Sequence, residues 1–335
     1  MVGPGTQGAA APPLLPPSGP GPSVAVVIPT FRRPGGLDRL VGALEAQTLP
    51  RSRFEVVVVD DCSGDGTRDR LEELSGATPL RLHVLATAAN GGPAAARNLG
   101  WRHSQAPVVA FLDDDCLPEP GWLEAGLAAM SAGAEVGIVQ GRTAAPAGTS
   151  VWGLEDWYLY RVIDRPSPFL EGCNIFYRRP ALEAVGGFDE DIGYGEDTSL
   201  GWQVLDQGWE RRFAAGAVVR HVVERRGWGW FLRTGLEEGN LVLLAHRHPG
   251  FRAEAFWMPW AYRREDAALA LGLAGLVAAR WWRPAVAAVV PYLWLQRPSL
   301  RRRSFARLCL QRPVVDAARL AAKLRASARH RTLVL

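Results

Sequence analysis

Long apolar runs, paired cysteines and lysines are what this 335-residue chain has least of, and each lack removes a class of protein. Two apolar segments, 267–279 and 285–295, are separated by Arg280-Trp281-Trp282-Arg283-Pro284, and each falls short of the roughly 20 residues that a membrane-spanning helix needs. The four cysteines, Cys62, Cys116, Cys173 and Cys309, include no Cys-x-x-Cys pair. That argues against a disulfide framework or a zinc site and for a reducing compartment, so a cytoplasmic location is expected. No Gly-x-Gly-x-x-Gly fingerprint follows the first apolar run, which excludes a dinucleotide-dependent dehydrogenase. There is no internal repeat.

With 48% hydrophobic residues the chain can bury a large core, and its length suggests one catalytic domain with an appendage. Residues 1–22, rich in Pro, Gly and Ala, lack a basic n-region and a sustained apolar stretch, and read as a disordered leader. From residue 23, short apolar runs (24–28, 54–59, 80–85, 108–112, 135–139) alternate with helical patterns (37–47, 67–74, 93–101, 122–130). The valine runs lack polar alternation, as strands buried on both faces do, so an α/β fold with a mostly parallel sheet flanked by helices is expected. After residue 145 the pattern loosens, with strands expected at 174–177 and 212–220 and helices at 198–207 and 228–246. Residues 296–335 hold 11 of the 38 basic side chains and one acid, Asp316, whereas the rest of the chain carries −6. A basic tail on an acidic body suggests an anionic surface as partner. The two apolar segments fit either a helical pair packed on the catalytic domain or a monotopic hairpin with its tryptophans at the headgroups. Aromatic residues lie mainly outside the tail, which argues against a nucleic-acid partner.

Ligands of open α/β sheets bind beyond the carboxyl ends of the strands. Here those positions are acidic: the second strand ends in Asp60-Asp61-Cys62-Ser63-Gly64-Asp65-Gly66, and the fourth in Asp113-Asp114-Asp115. Adjacent carboxylates repel and are costly to bury unpaired, so a positive partner is required. A hard divalent cation, Mg²⁺ or Mn²⁺, meets the need by taking one or two carboxylates and completing its shell with diphosphate oxygens and water.

The runs from Val24 to Arg33, Val56 to Thr67, Asn90 to Gly100 and Phe111 to Pro118 occur in the order and spacing of the family 2 glycosyltransferases, which the chain resembles over roughly residues 23–225. The resemblance implies a Rossmann-like GT-A fold, with a catalytic domain at 23–225 (nucleotide-binding half 23–145, acceptor half 146–225) and a helical region with a basic tail at 226–335. It implies an inverting, metal-dependent transfer of a sugar from a nucleotide-diphosphate donor to an acceptor hydroxyl. Pro29, Thr30, Arg32, Asp60, Asp61, Arg97, Asp113 and Asp114 would bind the nucleotide or donor, with Asp61 accepting from the imino group of the base. A carboxylate there suits uracil or thymine, which favours UDP or TDP without excluding GDP. Asp115 would hold the Mn²⁺ or Mg²⁺, with His221 as a further ligand. Gly172, Cys173 and Asn174 would lie near the sugar.

Inverting transfer needs a carboxylate to take the acceptor proton. The segment Gly195-Glu196-Asp197-Thr198-Ser199-Leu200 is similar to the family's Glu-Asp motif, which makes Asp197 the expected base and puts Glu196 at the acceptor. The family often has a second Asp where this chain has Ser199. Glu155-Asp156 is a competing pair. Trp152, Trp157, Trp202, Trp209, Trp228 and Trp230 are candidates for an acceptor-stacking face, Trp202 among the site residues. The acceptor remains open among saccharide, lipid-linked and small-molecule hydroxyls, and cell-envelope polysaccharide or glycolipid synthesis is the favoured setting. Peripheral contact through 266–335 would set the enzyme at the inner face of the plasma membrane. A nucleotide-sugar pyrophosphorylase would need a Gly-rich first loop and lysines at the phosphates, but the one lysine is Lys323. The alternative from another class, a sugar-nucleotide-binding scaffold or sensor at a membrane complex, has no use for Asp197.

Overall fold

The computed structural model describes residues 21–149, 158–300 and 305–335. In chain order the elements are β1 (Val24–Thr30), α1 (Leu37–Glu45), β2 (Phe54–Asp60), α2 (Thr67–Ala77), β3 (Leu82–Ala86), α3 (Gly92–His103), β4 (Val108–Leu112), β5 (Cys116–Pro118), α4 (Trp122–Met130), β6 (Val136–Ala144), β7 (Tyr158–Leu159), β8 (Asn174–Arg178) and α5 (Arg179–Val185). There follow α6 (Glu196–Asp206), β9 (Glu210–His221), β10 (Glu224–Arg225), α7 (Trp228–Glu237), α8 (Asn240–Arg247), α9 (Pro249–Ala255), α10 (Arg264–Ala278), a 3-10 segment (Arg283–Val289), α11 (Val290–Leu300) and α12 (Phe305–His330).

Residues 21–144, 162–190 and 203–222 form one compact unit around an eight-stranded sheet of order β3-β2-β1-β4-β8-β6-β9-β5. Every residue of β2 is buried, as the unbroken valine run requires of a strand covered on both faces. β3, β2, β1 and β4 are mutually parallel, with a helix between each strand and the next in sequence. Beyond β4 the expected parallel pattern gives way to a mixed one, because β8 runs antiparallel to both β4 and β6, and β5 antiparallel to β9. Strand order reverses between β1 and β4, and at such a switch point the loops beyond the strand ends part to leave a crevice. Helix α3 lies close on the sheet there. A Cβ at Gly100 would come 2.5 Å from Val27 Cγ1.

Among the described residues, 145–149, 158–161, 191–202, 223–300 and 305–335 cluster as a second unit, which is largely helical. The single helix expected at 228–246 is two, α7 and α8, broken before Asn240. The break allows close approach, since a Cβ at Gly239 would lie 3.1 Å from the Ala322 carbonyl oxygen of α12. Lys323 is fully buried and ion-paired with Asp266 and, at 3.5 Å, with Glu238, which also lies 3.0 Å from Arg319 Nε. Among the described residues no helix is long and apolar enough to cross a membrane.

Candidate active site

The acidic triplet emerges from β4 at the switch point and is held by two guanidinium groups. Arg97, buried on α3, donates to Asp113 Oδ1 at 2.7 Å. Arg33, in the loop after β1, lies 3.0 Å from Asp114 Oδ1 and 3.7 Å from Asp115 Oδ2. The Thr30 hydroxyl donates to Asp114 Oδ2 at 2.6 Å. Burial nevertheless pushes the Asp114 carboxyl up to about 7, against the lowering effects of Thr30 and Arg33 and with the repulsion of Asp115 and Asp113 behind it.

Asp115 owes its surroundings to a pairing that no local pattern announces. The turn closed by Cys116 N–H on the Asp113 carbonyl (3.0 Å) leads into β5, where Cys116 sits opposite His221 at the end of β9, and Val222 N–H donates to the Asp115 carbonyl at 2.9 Å. His221 is buried, with Nδ1 2.7 Å from the Val222 carbonyl oxygen. A carbonyl only accepts, so Nδ1 carries the hydrogen, and this bond aims Nε2 at Asp115 Oδ1, 3.7 Å away. Asp115, Cys116 and His221 together have ligand atoms within 4.8 Å of one another. Burial pushes the Cys116 thiol well above its ordinary range, further raised by Cys173, Asp113 and Asp115, which leaves it a poor ligand for a hard cation. The carboxylate oxygen and the imidazole nitrogen remain. Neighbouring ligands of an octahedral ion lie roughly 3 Å apart, so a shift below 1 Å would let both bind. A mixed oxygen and nitrogen pair suits Mn²⁺ better than Mg²⁺.

Asp60 and Asp61 cap β2 but face different partners. Asp60 accepts from the Ser63 hydroxyl and, at 3.4 Å, from its N–H. The buried Asp61 carboxylate accepts four donors: Thr87 Oγ1 (2.7 Å), Asn90 Nδ2 (3.0 Å), Gly91 N–H (3.0 Å) and Gly92 N–H (2.7 Å). Its lone-pair directions are met within the chain, so a bond to a base imino group requires one of these donors to move. Pro29 is half-buried near the end of β1. Arg32 has a positive φ of 52° and is turned away from the triplet, with Nε donating to the Ser63 carbonyl at 3.3 Å. The sequence reading singled out Arg32 and missed Arg33. Two adjacent arginines look alike in sequence, and only the left-handed turn at the first decides which one meets the carboxylates.

The Gly172-Cys173-Asn174 segment divides. A Cβ at Gly172 would come 3.1 Å from the Arg97 guanidinium, and buried Cys173 lies 3.7 Å from the Thr143 hydroxyl. Asn174, expected near the sugar, is held within the fold. It is buried, accepts from Trp122 Nε1 at 2.8 Å and donates to the Arg142 and Ala217 carbonyls at 2.9 and 3.0 Å, which ties β8 to α4, β6 and β9.

In the second unit, Glu196 and Asp197 occupy the first turn of α6, Glu196 buried and Asp197 half-buried. Asp197 Oδ1 accepts from Thr198 N–H at 2.7 Å. Trp202 is buried edge-on against Phe251, with ring centroids 6.2 Å apart. Trp152, Trp157, Glu155 and Asp156 lie outside the described residues.

The profile of the Glycosyl transferase family 2 matches residues 25–186, and that of the Glycosyl transferase family group 2 matches residues 108–302. The chain belongs to glycosyltransferase family 2. It is 31% identical over 205 residues to glycosyltransferase AglE of Haloferax volcanii, a match covering 60% of this chain and 67% of that one. It is 33% identical over 250 residues to the pre-mycofactocin glycosyltransferase of Mycobacterium tuberculosis, covering 70% of this chain but half of that one. The fold matches that of the mannosyltransferase PcManGT from Pyrobaculum calidifontis, solved with GDP-Man and Mn²⁺, with a TM-score of 0.65 at 22% identity over 92% of this chain and 87% of that one.

Proposed function

We propose that this chain transfers a sugar, with inversion, from a nucleoside diphosphate donor to an acceptor hydroxyl, using a divalent cation. The observation that carries the reading is the pairing of Asp115 with the Nε2 face of His221 beside an Arg97-bound Asp113, at the crevice where a sheet of this order takes its ligands. The cation, Mn²⁺ before Mg²⁺, would neutralise charge on the departing diphosphate. Thr30, Asp113 and Asp114 hold the nucleoside side of the donor, with Pro29 and Arg32 shaping the loop beside them. Asp61, backed by Asp60, orders the loop 87–92 and exchanges one donor for the base imino hydrogen, which favours UDP or TDP. Arg97 and Gly172 face the sugar diphosphate. Asp197 takes the proton as the acceptor oxygen bonds to the anomeric carbon and the diphosphate leaves from the opposite face, with Glu196 on the acceptor side.

The acceptor is a saccharide, a lipid-linked glycan or a small molecule; relatives are named for pre-mycofactocin and for validoxylamine A, so the names do not single out one of these. Envelope polysaccharide or glycolipid synthesis at the inner face of the plasma membrane fits a peripheral contact through residues 266–335. Thermal unfolding with UDP, TDP, GDP or CDP, with and without Mn²⁺, tests the donor class. Ligand at about 100 times its dissociation constant adds roughly 2.7 kcal/mol. Stabilisation by UDP or TDP that chelator removes is the expected outcome; no response to any nucleotide would contradict the reading.

A further inference from the structure

Helix α10 and the 3-10 segment Arg283–Val289 pack on each other through their smallest residues. A Cβ at Gly275 would come 2.5 Å from both the Ala285 carbonyl oxygen and Ala288 Cβ, and one at Gly272 would come 3.4 Å from Val289 Cα. The bulky side chains point the other way: Leu271, Leu273, Leu276, Val277, Val286 and Val290 are all exposed. A helical pair folded for water turns large apolar groups into its seam. Small residues inside and large ones outside is the arrangement of helices whose surroundings are acyl chains.

The base of the hairpin is different. Ala268, Leu269 and Tyr292 pack with Leu320 of α12, and Asp266 pairs with Lys323, so the unit's own core anchors that end. At the tip, Trp281 and Trp282 are 77% and 66% exposed. Between Asp266 and Arg297 the only charged residues are Arg280 and Arg283, which flank those two rings. Two cations without a nearby acid in sequence, interleaved with tryptophan, match the phosphate and carbonyl layer of a bilayer rich in anionic lipid. Arginine deep in hydrocarbon is costly, so the tip stays at headgroup level and the hairpin lies along one leaflet without crossing it.

We propose that residues 271–290 dock into one leaflet of an anionic bilayer, with Arg280 and Arg283 on lipid phosphates and Trp281 and Trp282 at the headgroup boundary. The inference rests on the peripheral contact proposed above and narrows it to the hairpin in place of the basic tail. The test is sedimentation of the full chain with vesicles of phosphatidylcholine alone and of an equal mixture with phosphatidylglycerol. Wild type is expected to bind the mixture about tenfold or more tightly than phosphatidylcholine. A Trp281→Ser, Trp282→Ser double variant should lose most of that binding, and an Arg280→Gln, Arg283→Gln variant should lose the preference for the anionic lipid. Unchanged binding of both variants would overturn the hairpin inference and leave a tail contact standing. Wild type that stays in the supernatant overturns both, and if it instead forms a dimer broken by the tryptophan substitutions, a second copy covers this face. Unfolding midpoints equal to wild type establish that the variants fold, and nucleotide binding, scored separately, keeps the fate of the donor reading apart.

Discussion

Asp114 sits between the groups that touch it in opposite senses, and its titration is a direct readout of the triplet. With its carboxyl raised to about 7, the native state between the ordinary carboxylate range and pH 7 holds a proton that the unfolded chain has released. Stability therefore falls as pH rises through that window and levels off above it. In chelator, Asp114→Asn should be more stable than wild type at pH 8 and match it near pH 4 in urea unfolding; a variant no more stable at pH 8 contradicts this picture. Arg33, about a quarter exposed beside Asp114 and Asp115, is expected to contribute about 1 kcal/mol after solvent screening. Arg33→Gln should lose that amount in chelator and recover most of it when Mn²⁺ is added. Little of this was legible in sequence: the carboxylates were, because acid at strand ends has few structural uses, but which arginine answers them depends on one backbone angle.

Elements carry the site by their closeness. Helix α3 brings Arg97 to Asp113 because Gly100 lets it approach β1, and Gly100→Ala, with its Cβ 2.5 Å from Val27 Cγ1, should cost about 1–3 kcal/mol and weaken nucleotide binding in calorimetric titration. The segment before Asp197 is held within the second unit by α8. Asn240 Nδ2 donates to the Tyr194 carbonyl at 3.3 Å, and Gly195, at φ +84°, would bring a Cβ 2.9 Å from Leu244 Cδ1. If Asp197 is the base, Gly195→Ala should lower turnover by about tenfold or more while leaving the nucleotide dissociation constant unchanged, because a misplaced base slows chemistry without touching the donor. A parallel loss of nucleotide affinity would argue for general unfolding of the segment. The short apolar runs rich in valine, without polar alternation, made β1, β2 and β4 readable, and β2 most of all with its four consecutive valines. Three-residue β5 was not readable, because it exists by pairing with β9, and the split of α7 from α8 follows from contact with α12 that the local pattern does not contain.

At the scale of the whole molecule, the N-terminal unit joins parts far apart in sequence: β2 and β4 supply the carboxylates, β1 and the loop after it supply Thr30 and Arg33, and the end of β9 supplies His221. The motif order was enough to identify the family and the acidic face, whereas the assembly of Asp115 with His221 and the burial of Asn174 and Trp202 arise from long-range packing. The most direct test of the account is release of nucleoside diphosphate from UDP-, TDP- and GDP-sugars by the purified chain, with water standing in for the unknown acceptor. The account expects slow release from one donor class that requires Mn²⁺, disappears in Asp115→Ala and falls in Asp197→Asn although that variant still binds nucleotide. Release that continues in chelator and in Asp115→Ala, or folded protein that releases nothing from any donor, would contradict it.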